Sequence, residues 1–258
     1  MPTCLFGCDA PKLTKEHIFG RKWIERVTGK PPDAKLTHTH AKVKGQSPFV
    51  VDGQERFAIQ WDALEAGLVV SDVCEACNNG WMDRMDHTTY PHIDPLVAGR
   101  SHTLTLRDQE QVARWATKIA ILFDTHLEHP AISRALRESF REAQQPFADW
   151  HIWLGRYELP TDTCRVAGFP TTKSENPPLG DTHGYICTFN VNFLTVQVLA
   201  PIASYDVVGI AMTLDKGHAG YVRRIWPPLL GTGGVEWPPP LSLMADNLQV
   251  FADCEKPL

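Results

Sequence analysis

The sequence predicts an α+β fold in two parts, and three observations support that prediction. Arg107–His126 repeats apolar side chains at helical spacing. After Pro146 the pattern changes to strand-like runs broken by glycine and proline, which is typical of an antiparallel sheet. Ahead of both lie two close cysteine pairs, far apart in the chain. We expect a first part at residues 1–98 and an α+β second part at residues 99–258.

Composition is that of an ordinary globular protein. The chain has 258 residues, of which 43% are hydrophobic and 21% charged. The start MPTCLFGCDA lacks the basic residues and apolar run of a signal peptide, and every apolar run is too short for a membrane span. We therefore expect a cytoplasmic protein with no membrane partner. Thiols stay reduced in that compartment, where clustered cysteines more often bind metal than form disulfides.

The two cysteine pairs predict a structural zinc site. Cys4 and Cys8 form a C-x-x-x-C motif, and Cys74 and Cys77 form a C-x-x-C motif. Structural zinc is commonly held by four thiolates supplied as two such pairs. Gly7 would provide the tight turn that lets both sulfurs of the first pair face one ion. The alternative, a thioredoxin-like redox pair, lacks the surrounding βαβ pattern. The other cysteines, expected to be small core residues, are Cys164, Cys187 and Cys254.

The segment LTKEHIFGRKWIERV lies between the pairs. Its second half predicts a short helix whose apolar side comprises Trp23, Ile24 and Val27. Further on, KLTHTHAK alternates like a strand and places His38 and His40 on one face. These two histidines could bind metal, but we expect exposed basic groups.

The sequence after Cys77 predicts a helix followed by a linker. Its expected buried face contains Trp81, Met82 and Met85, and its expected solvated face contains Asp83 and Asp86. The stretch PHIDPLVAGRS then predicts a linker into the second part.

The motifs CLFGC, EHIF and CEACNNGWM resemble those of the HNH, or ββα-metal, endonucleases. The resemblance is to the four-cysteine, zinc-clamped subgroup similar to phage endonuclease VII. It covers residues 1–90, with an insertion at about 29–73. It implies a ββα-metal module in which Glu16 and Asn78 bind a catalytic Mg²⁺ or Mn²⁺ and His17 is the general base. The implied zinc ligands are Cys4, Cys8, Cys74 and Cys77.

The chemistry implied by the resemblance suits these residue types. Histidine can take a proton from water near neutral pH, and carboxylate and amide oxygens are ligands that Mg²⁺ and Mn²⁺ accept. A zinc-bound Cys77 would fix Asn78 at the start of a helix, facing Glu16 and His17. The family's middle asparagine, which holds the loop that carries the base, is missing from LVVSDVC. The resemblance leaves two alternatives: Ser71 or Asp72 holds that loop, or the role is dispensable.

Basic residues concentrate around the Glu16–His17 motif. Residues 1–50 contain nine Lys/Arg and four Asp/Glu, in a chain whose net charge is −5. Such a run is usually a solvated face, but beside a phosphodiesterase site it would hold DNA. The alternative function is a non-catalytic zinc-stabilised module that binds nucleic acid or protein, and homodimerisation is left open. The candidate substrate-binding residues are Lys15, Arg21, Lys22 and Arg26.

The second part is expected to be a specificity or regulatory domain. Its first helix would start at an Asp108 N-cap with Gln111 at the capping-box position, and AISRALRESFREA predicts another helix. WPPLLGTGGVEWPPP is predicted to be a loop. The predicted strands cover residues 150–158, 164–169, 185–199, 206–214 and 221–226.

Overall fold

A computed structural model describes most of the chain. The described residues are 3–10, 12–29, 35–42, 57–64, 69–126, 130–172, 182–201, 215, 220–229, 231 and 233–244. For residues 35–42, 57–64, 159–172 and 182–184, the description is of the backbone alone. Helices and antiparallel sheets are both present, so the predicted α+β class is confirmed.

The helices and strands follow one another in this order. The first half contains β1 (Leu13–His17), α1 (Arg21–Thr28), β2 (Lys35–Lys42), β3 (Phe57–Leu64), β4 (Val69–Cys74) and α2 (Asp83–Val97). A π-helical turn, Cys77–Met82, precedes α2. The second half contains β5 (His102–Thr105), α3 (Leu106–Asp124), α4 (Arg134–Ala143), β6 (His151–Thr172), β7 (Thr182–Pro201), β8 (Val222–Trp226) and β9 (Gly234–Trp237).

Strands β1 and β4 form an antiparallel pair. Leu13 lies opposite Cys74 and His17 opposite Val69, with an irregularity between Thr14 and Glu16. This pairing brings Cys74, the first cysteine of the second motif, to the start of the strand that carries Glu16.

The intervening segment forms its own antiparallel pair, in which β2 runs along β3. The predicted strand at KLTHTHAK is confirmed. The side chains of His38 and His40 lie outside the described residues.

The second half contains a three-stranded antiparallel sheet in the order β7-β6-β8. The two strands predicted at 150–158 and 164–169 are one strand, β6. Residues 206–214 and the side chains of Cys164 and Cys254 lie outside the described residues. The predicted loop after Trp226 is wrong in part, because its residues Gly234–Trp237 form β9 and pair with β5.

The N-cap of helix α3 lies three residues before the predicted one. Thr105 is the N-cap, and its hydroxyl accepts from the Asp108 amide at 3.3 Å. The Asp108 carboxylate accepts from the Thr105 amide at 3.0 Å, which completes a capping box. Asp108 is therefore the third residue of the helix, and the predicted caps are wrong because Thr-x-x-Asp satisfies the same motif. Gln111 instead donates to Thr88 and Thr89 of α2, at 3.0 Å and 2.9 Å.

The predicted linker at PHIDPLVAGRS is also wrong over most of its length. Helix α2 continues through Pro91 and Pro95 to Val97. Each proline removes a backbone donor, but this stretch also buries three apolar side chains, which favours the helical continuation. These are Ile93, Leu96 and Val97.

One cluster of packed, buried residues extends from Cys4 to Trp237. Trp115 of α3 lies edge-on to Trp23 of α1 at 5.9 Å between ring centroids, and Phe19 approaches Phe189 of β7 at 5.6 Å. Both predicted parts thus contribute to the core, and the division at residue 98 stays a prediction.

No helix within the described ranges is long and apolar enough to cross a membrane. The predicted apolar face of α3 is buried at Val112, Trp115, Ala116, Ile119, Ala120 and Phe123.

Candidate metal centre and candidate active site

The four predicted cysteines converge. Their sulfur atoms all lie within 4.8 Å of one another, and this group could hold a metal ion such as zinc. The Cys8 and Cys77 sulfurs are 3.4 Å apart, and those of Cys4 and Cys77 are 4.0 Å apart. Tetrahedral zinc with Zn–S bonds of about 2.3 Å would place its sulfurs about 3.8 Å apart. The donor set and its spacing therefore fit zinc.

Backbone geometry shapes the first cysteine pair. Gly7 has a φ of 76°, the left-handed conformation expected of a tight turn at this glycine. Its amide donates to the Cys4 carbonyl at 2.8 Å, and the Cys4 amide donates to the Cys8 carbonyl at 3.1 Å. The Cys74 amide donates to the Cys4 sulfur at 3.3 Å, which joins the two pairs.

The thiols differ in acidity and exposure. The hydrogen bond between the Cys4 and Cys77 sulfurs lowers the pKa of Cys4 to about 5 and raises the pKa of Cys77. Cys8 is partly exposed, whereas Cys4, Cys74 and Cys77 are buried. Elsewhere, Cys187 is buried in the core, as predicted for a small core residue.

Glu16 is a buried carboxylate without a partner. It is 7% exposed, and its side chain makes no hydrogen bond or ion pair with any described residue. Burial raises its pKa to about 7; Lys118 opposes this shift, and Asp86 and Asp83 add to it. Burial makes the charged form of this carboxylate costly, so the position favours a proton or a nearby cation.

His17 follows Glu16 on β1 and is half-buried. Burial and the neighbouring Arg21 guanidinium lower the pKa of its imidazole. The neutral form, which can accept a proton, therefore predominates near neutral pH. No hydrogen bond joins this ring to another part of the described structure.

Asn78 connects the cysteine cluster to β1. It lies one residue after Cys77, within the π-helical turn. Its Nδ2 donates to the Thr14 hydroxyl at 3.0 Å and to the Lys15 carbonyl at 3.1 Å. The structure thus places Asn78 beside the strand that carries Glu16, and no described residue donates a hydrogen bond to its Oδ1.

Ser71 or Asp72 was a candidate to hold the segment that carries His17. The side chain that hydrogen-bonds β1 is instead that of Asn78. The Ser71 and Asp72 side chains are exposed on β4. Sequence reasoning assigned Asn78 a ligand role and missed this holding role, because the pairing of β1 with β4 decides which side chain reaches the Lys15 carbonyl.

An ion pair behind Glu16 was not predicted. Asp86 is buried and pairs with Lys118 of α3, so its predicted solvated position is wrong; Asp83 is exposed, as predicted. The Tyr90 hydroxyl hydrogen-bonds Asp86 and the Gly20 backbone, and its ring stacks on Trp23 at 4.8 Å. The sequence signal for this pair was a lysine three residues after Trp115, on the apolar side of α3. The predicted buried residues Trp81, Met82 and Met85 are confirmed.

The candidate substrate-binding residues divide into two groups. Arg21 pairs with Glu25 at 2.8 Å and Arg26 with Asp94 at 2.9 Å. Lys15 and Lys22 are exposed and form no ion pair within the described part of the chain. Arg84 on α2, which sequence reasoning missed, is also exposed and forms no ion pair with any described residue.

Comparison with protein-family models, curated proteins and solved structures finds no match.

Proposed function

We propose that this protein is a metal-dependent endonuclease that hydrolyses phosphodiester bonds in DNA. The observation that carries the proposal is the unpartnered, 7% exposed Glu16 carboxylate. It lies next to a half-buried histidine, on a strand held by Asn78. Few structural roles suit a buried acid without a partner, whereas a divalent cation would balance its charge.

Glu16 and the Oδ1 atom of Asn78 would hold the cation. Oxygen donors suit Mg²⁺ or Mn²⁺, and such an ion would neutralise charge on the phosphate and the departing oxygen. Asp83, exposed at the start of α2, adds negative charge near Glu16. The positive charge of Lys118 offsets part of that negative charge.

His17 would act as the general base. Its imidazole takes a proton from water as the water oxygen forms a bond to phosphorus and the bond to the departing sugar oxygen breaks. The lowered pKa of His17 keeps the ring ready to accept that proton.

The cysteine cluster would bind structural zinc and thereby set the position of Asn78. Asn78, whose amide donates to the Lys15 carbonyl of β1, directly follows the Cys77 ligand. Cys74→Ser should remove the zinc and destabilise the protein, because the ion joins segments far apart in sequence. Elemental analysis would show about one zinc per wild-type chain and much less in the variant. Cys187→Ala, which also removes a buried thiol, should keep its zinc.

Cleavage of supercoiled plasmid with and without Mg²⁺ or Mn²⁺ tests the nuclease proposal. Wild type should nick the plasmid only with added ion. His17→Ala should lose about 10²–10⁴-fold in rate while keeping its zinc and fold. His87→Ala is the matched control, because His87 is an exposed histidine on α2, and it should cleave normally.

Full activity of His17→Ala would overturn the mechanism. Inactive wild type with every metal, together with zinc binding and DNA affinity, would favour the non-catalytic binding module instead.

A further inference from the structure

Helix α4, from the second half of the chain, approaches the first cysteine pair. The Arg141 Nη1 atom donates to the Cys8 sulfur at 3.0 Å. Cys8 is the one partly exposed member of the cluster, and Arg141 is the one charged donor that reaches any of its four sulfurs within the described structure. Arg141 therefore contacts the most exposed thiol of the cluster.

Two contacts that do not involve Arg141 also hold α4 against the residues around the cysteine cluster. The Glu138 side chain packs against the Gly7 backbone so closely that a Cβ there would lie 2.0 Å from its Oε1. Phe140 is fully buried and meets the Trp81 ring edge-on at 5.8 Å between centroids. Removal of the Arg141 guanidinium should consequently leave the helix in place.

The charge of the centre explains what an arginine does there. Four thiolates around a divalent zinc carry a net charge of −2, and a cationic donor lowers the cost of that charge. Groups that hydrogen-bond a metal ligand also fix its orientation, and their loss typically weakens metal affinity about 10–100-fold. A partly exposed thiolate is the ligand that protons or electrophiles reach first.

We propose that Arg141 is an outer-sphere partner of the four-cysteine metal centre, holding the Cys8 sulfur in its ligand position and slowing metal release. This inference rests on the zinc-binding half of the proposed function and does not depend on nuclease chemistry. It gives the second half of the chain a part in maintaining the metal centre.

The experiment compares zinc release from full-length wild type, Arg141→Met, Arg141→Lys and Arg134→Met. Arg134 is the matched control, because it lies on the same helix and pairs with Glu138 at 2.6 Å without touching a sulfur. Zinc transfer to a chromogenic chelator gives the affinity and release rate. The absorption spectrum of the Co²⁺-loaded proteins reports whether four sulfurs remain bound.

Arg141→Met should lose zinc affinity by about 10–100-fold and release the ion correspondingly faster. Arg141→Lys should recover part of that loss, and Arg134→Met should match wild type. Melting temperatures of the metal-loaded proteins, compared at saturating zinc, should stay close together.

Unchanged zinc release in Arg141→Met would overturn the inference. An equal loss in Arg134→Met would also overturn it, because the effect would then belong to helix docking. A wild type that binds no zinc would overturn the zinc site itself along with this inference. Inactivity toward DNA with normal zinc binding would leave the inference standing.

Discussion

Lys118 and Asp86 form an ion pair in the protein interior, with 0% and 8% of their side chains exposed. The pair joins α3 to α2, and the charges of both residues act on Glu16. Tyr90 extends it to the Gly20 backbone, where a Cβ would lie only 2.2 Å from the Tyr90 hydroxyl oxygen. Gly20, the N-cap residue of α1, is thus connected to α3 through Tyr90 and Asp86.

Breaking this pair from one side should be costly. Lys118→Met would leave a buried carboxylate unpaired, and we expect a loss of about 3–5 kcal/mol in the free energy of unfolding. Urea denaturation measures it. Asp86→Asn combined with Lys118→Met should recover most of the loss, because neither charge then remains. Arg114→Met, which breaks a more exposed pair with Glu110, should cost less than about 1 kcal/mol. A similar small cost for Lys118→Met would contradict the buried-pair interpretation.

Asp124 should make stability depend on pH. Burial raises its pKa from 3.8 to about 6, although the Ala131 and Ile132 amides and Arg137 oppose the shift. Between these two values the folded state binds a proton that the unfolded state has released, so stability falls as pH rises. Asp124→Asn lacks this titration.

The free energy of unfolding of Asp124→Asn, relative to wild type, should therefore rise by about 1–3 kcal/mol across that pH window. Urea titrations at several pH values check this, with the difference between the two proteins removing the contribution of other acids. A difference that stays constant with pH would show that Asp124 does not titrate there.

The two proposed roles of Asn78 can be separated by substitution. Asn78→Asp keeps an oxygen ligand but loses the amide donor to Thr14 and Lys15, whereas Asn78→Ala loses both. Both variants should melt at lower temperature, since each lost hydrogen bond costs about 1 kcal/mol and the one to Thr14 is half-buried. Higher Mn²⁺ should restore cleavage in part for Asn78→Asp and less for Asn78→Ala. Equal rescue of the two variants would argue against a ligand role.

Lys15 and Lys22 should contribute more to DNA affinity than Arg26. The lysines are exposed and unpaired among the described residues, whereas Arg26 is neutralised by Asp94. Replacing both lysines by glutamine should reduce the salt dependence of binding by about one unit of log–log slope per lost phosphate contact. Arg26→Gln should change the slope less. Binding isotherms over a range of salt concentrations measure this, and a larger effect of Arg26 would reverse the assignment.

The structure confirms the predictions that depended only on the pattern of neighbouring residues. Helical spacing in α3, alternation in β2 and the positive φ at Gly7 follow from the backbone preferences of adjacent residues. The four cysteines could be grouped because two short motifs rich in thiols have few structural purposes besides a shared metal. Glu16 and His17 were found through their likeness to a family motif, and their catalytic roles remain predictions.

Tertiary structure alone decided where the charged and polar side chains end up. Asp86 lies one turn after Met82, on the side of α2 that is buried. A carboxylate can be buried there only when another element supplies a cation. That cation is Lys118, which lies 32 residues later in the chain, on α3. The same holds for Arg141, which reaches Cys8 across 133 residues. Hydrophobic periodicity specifies which face of an element is covered, because burial of apolar area depends little on the identity of the partner. A buried ion or hydrogen bond depends on one particular partner at a fixed distance, and only the folded chain determines that partner.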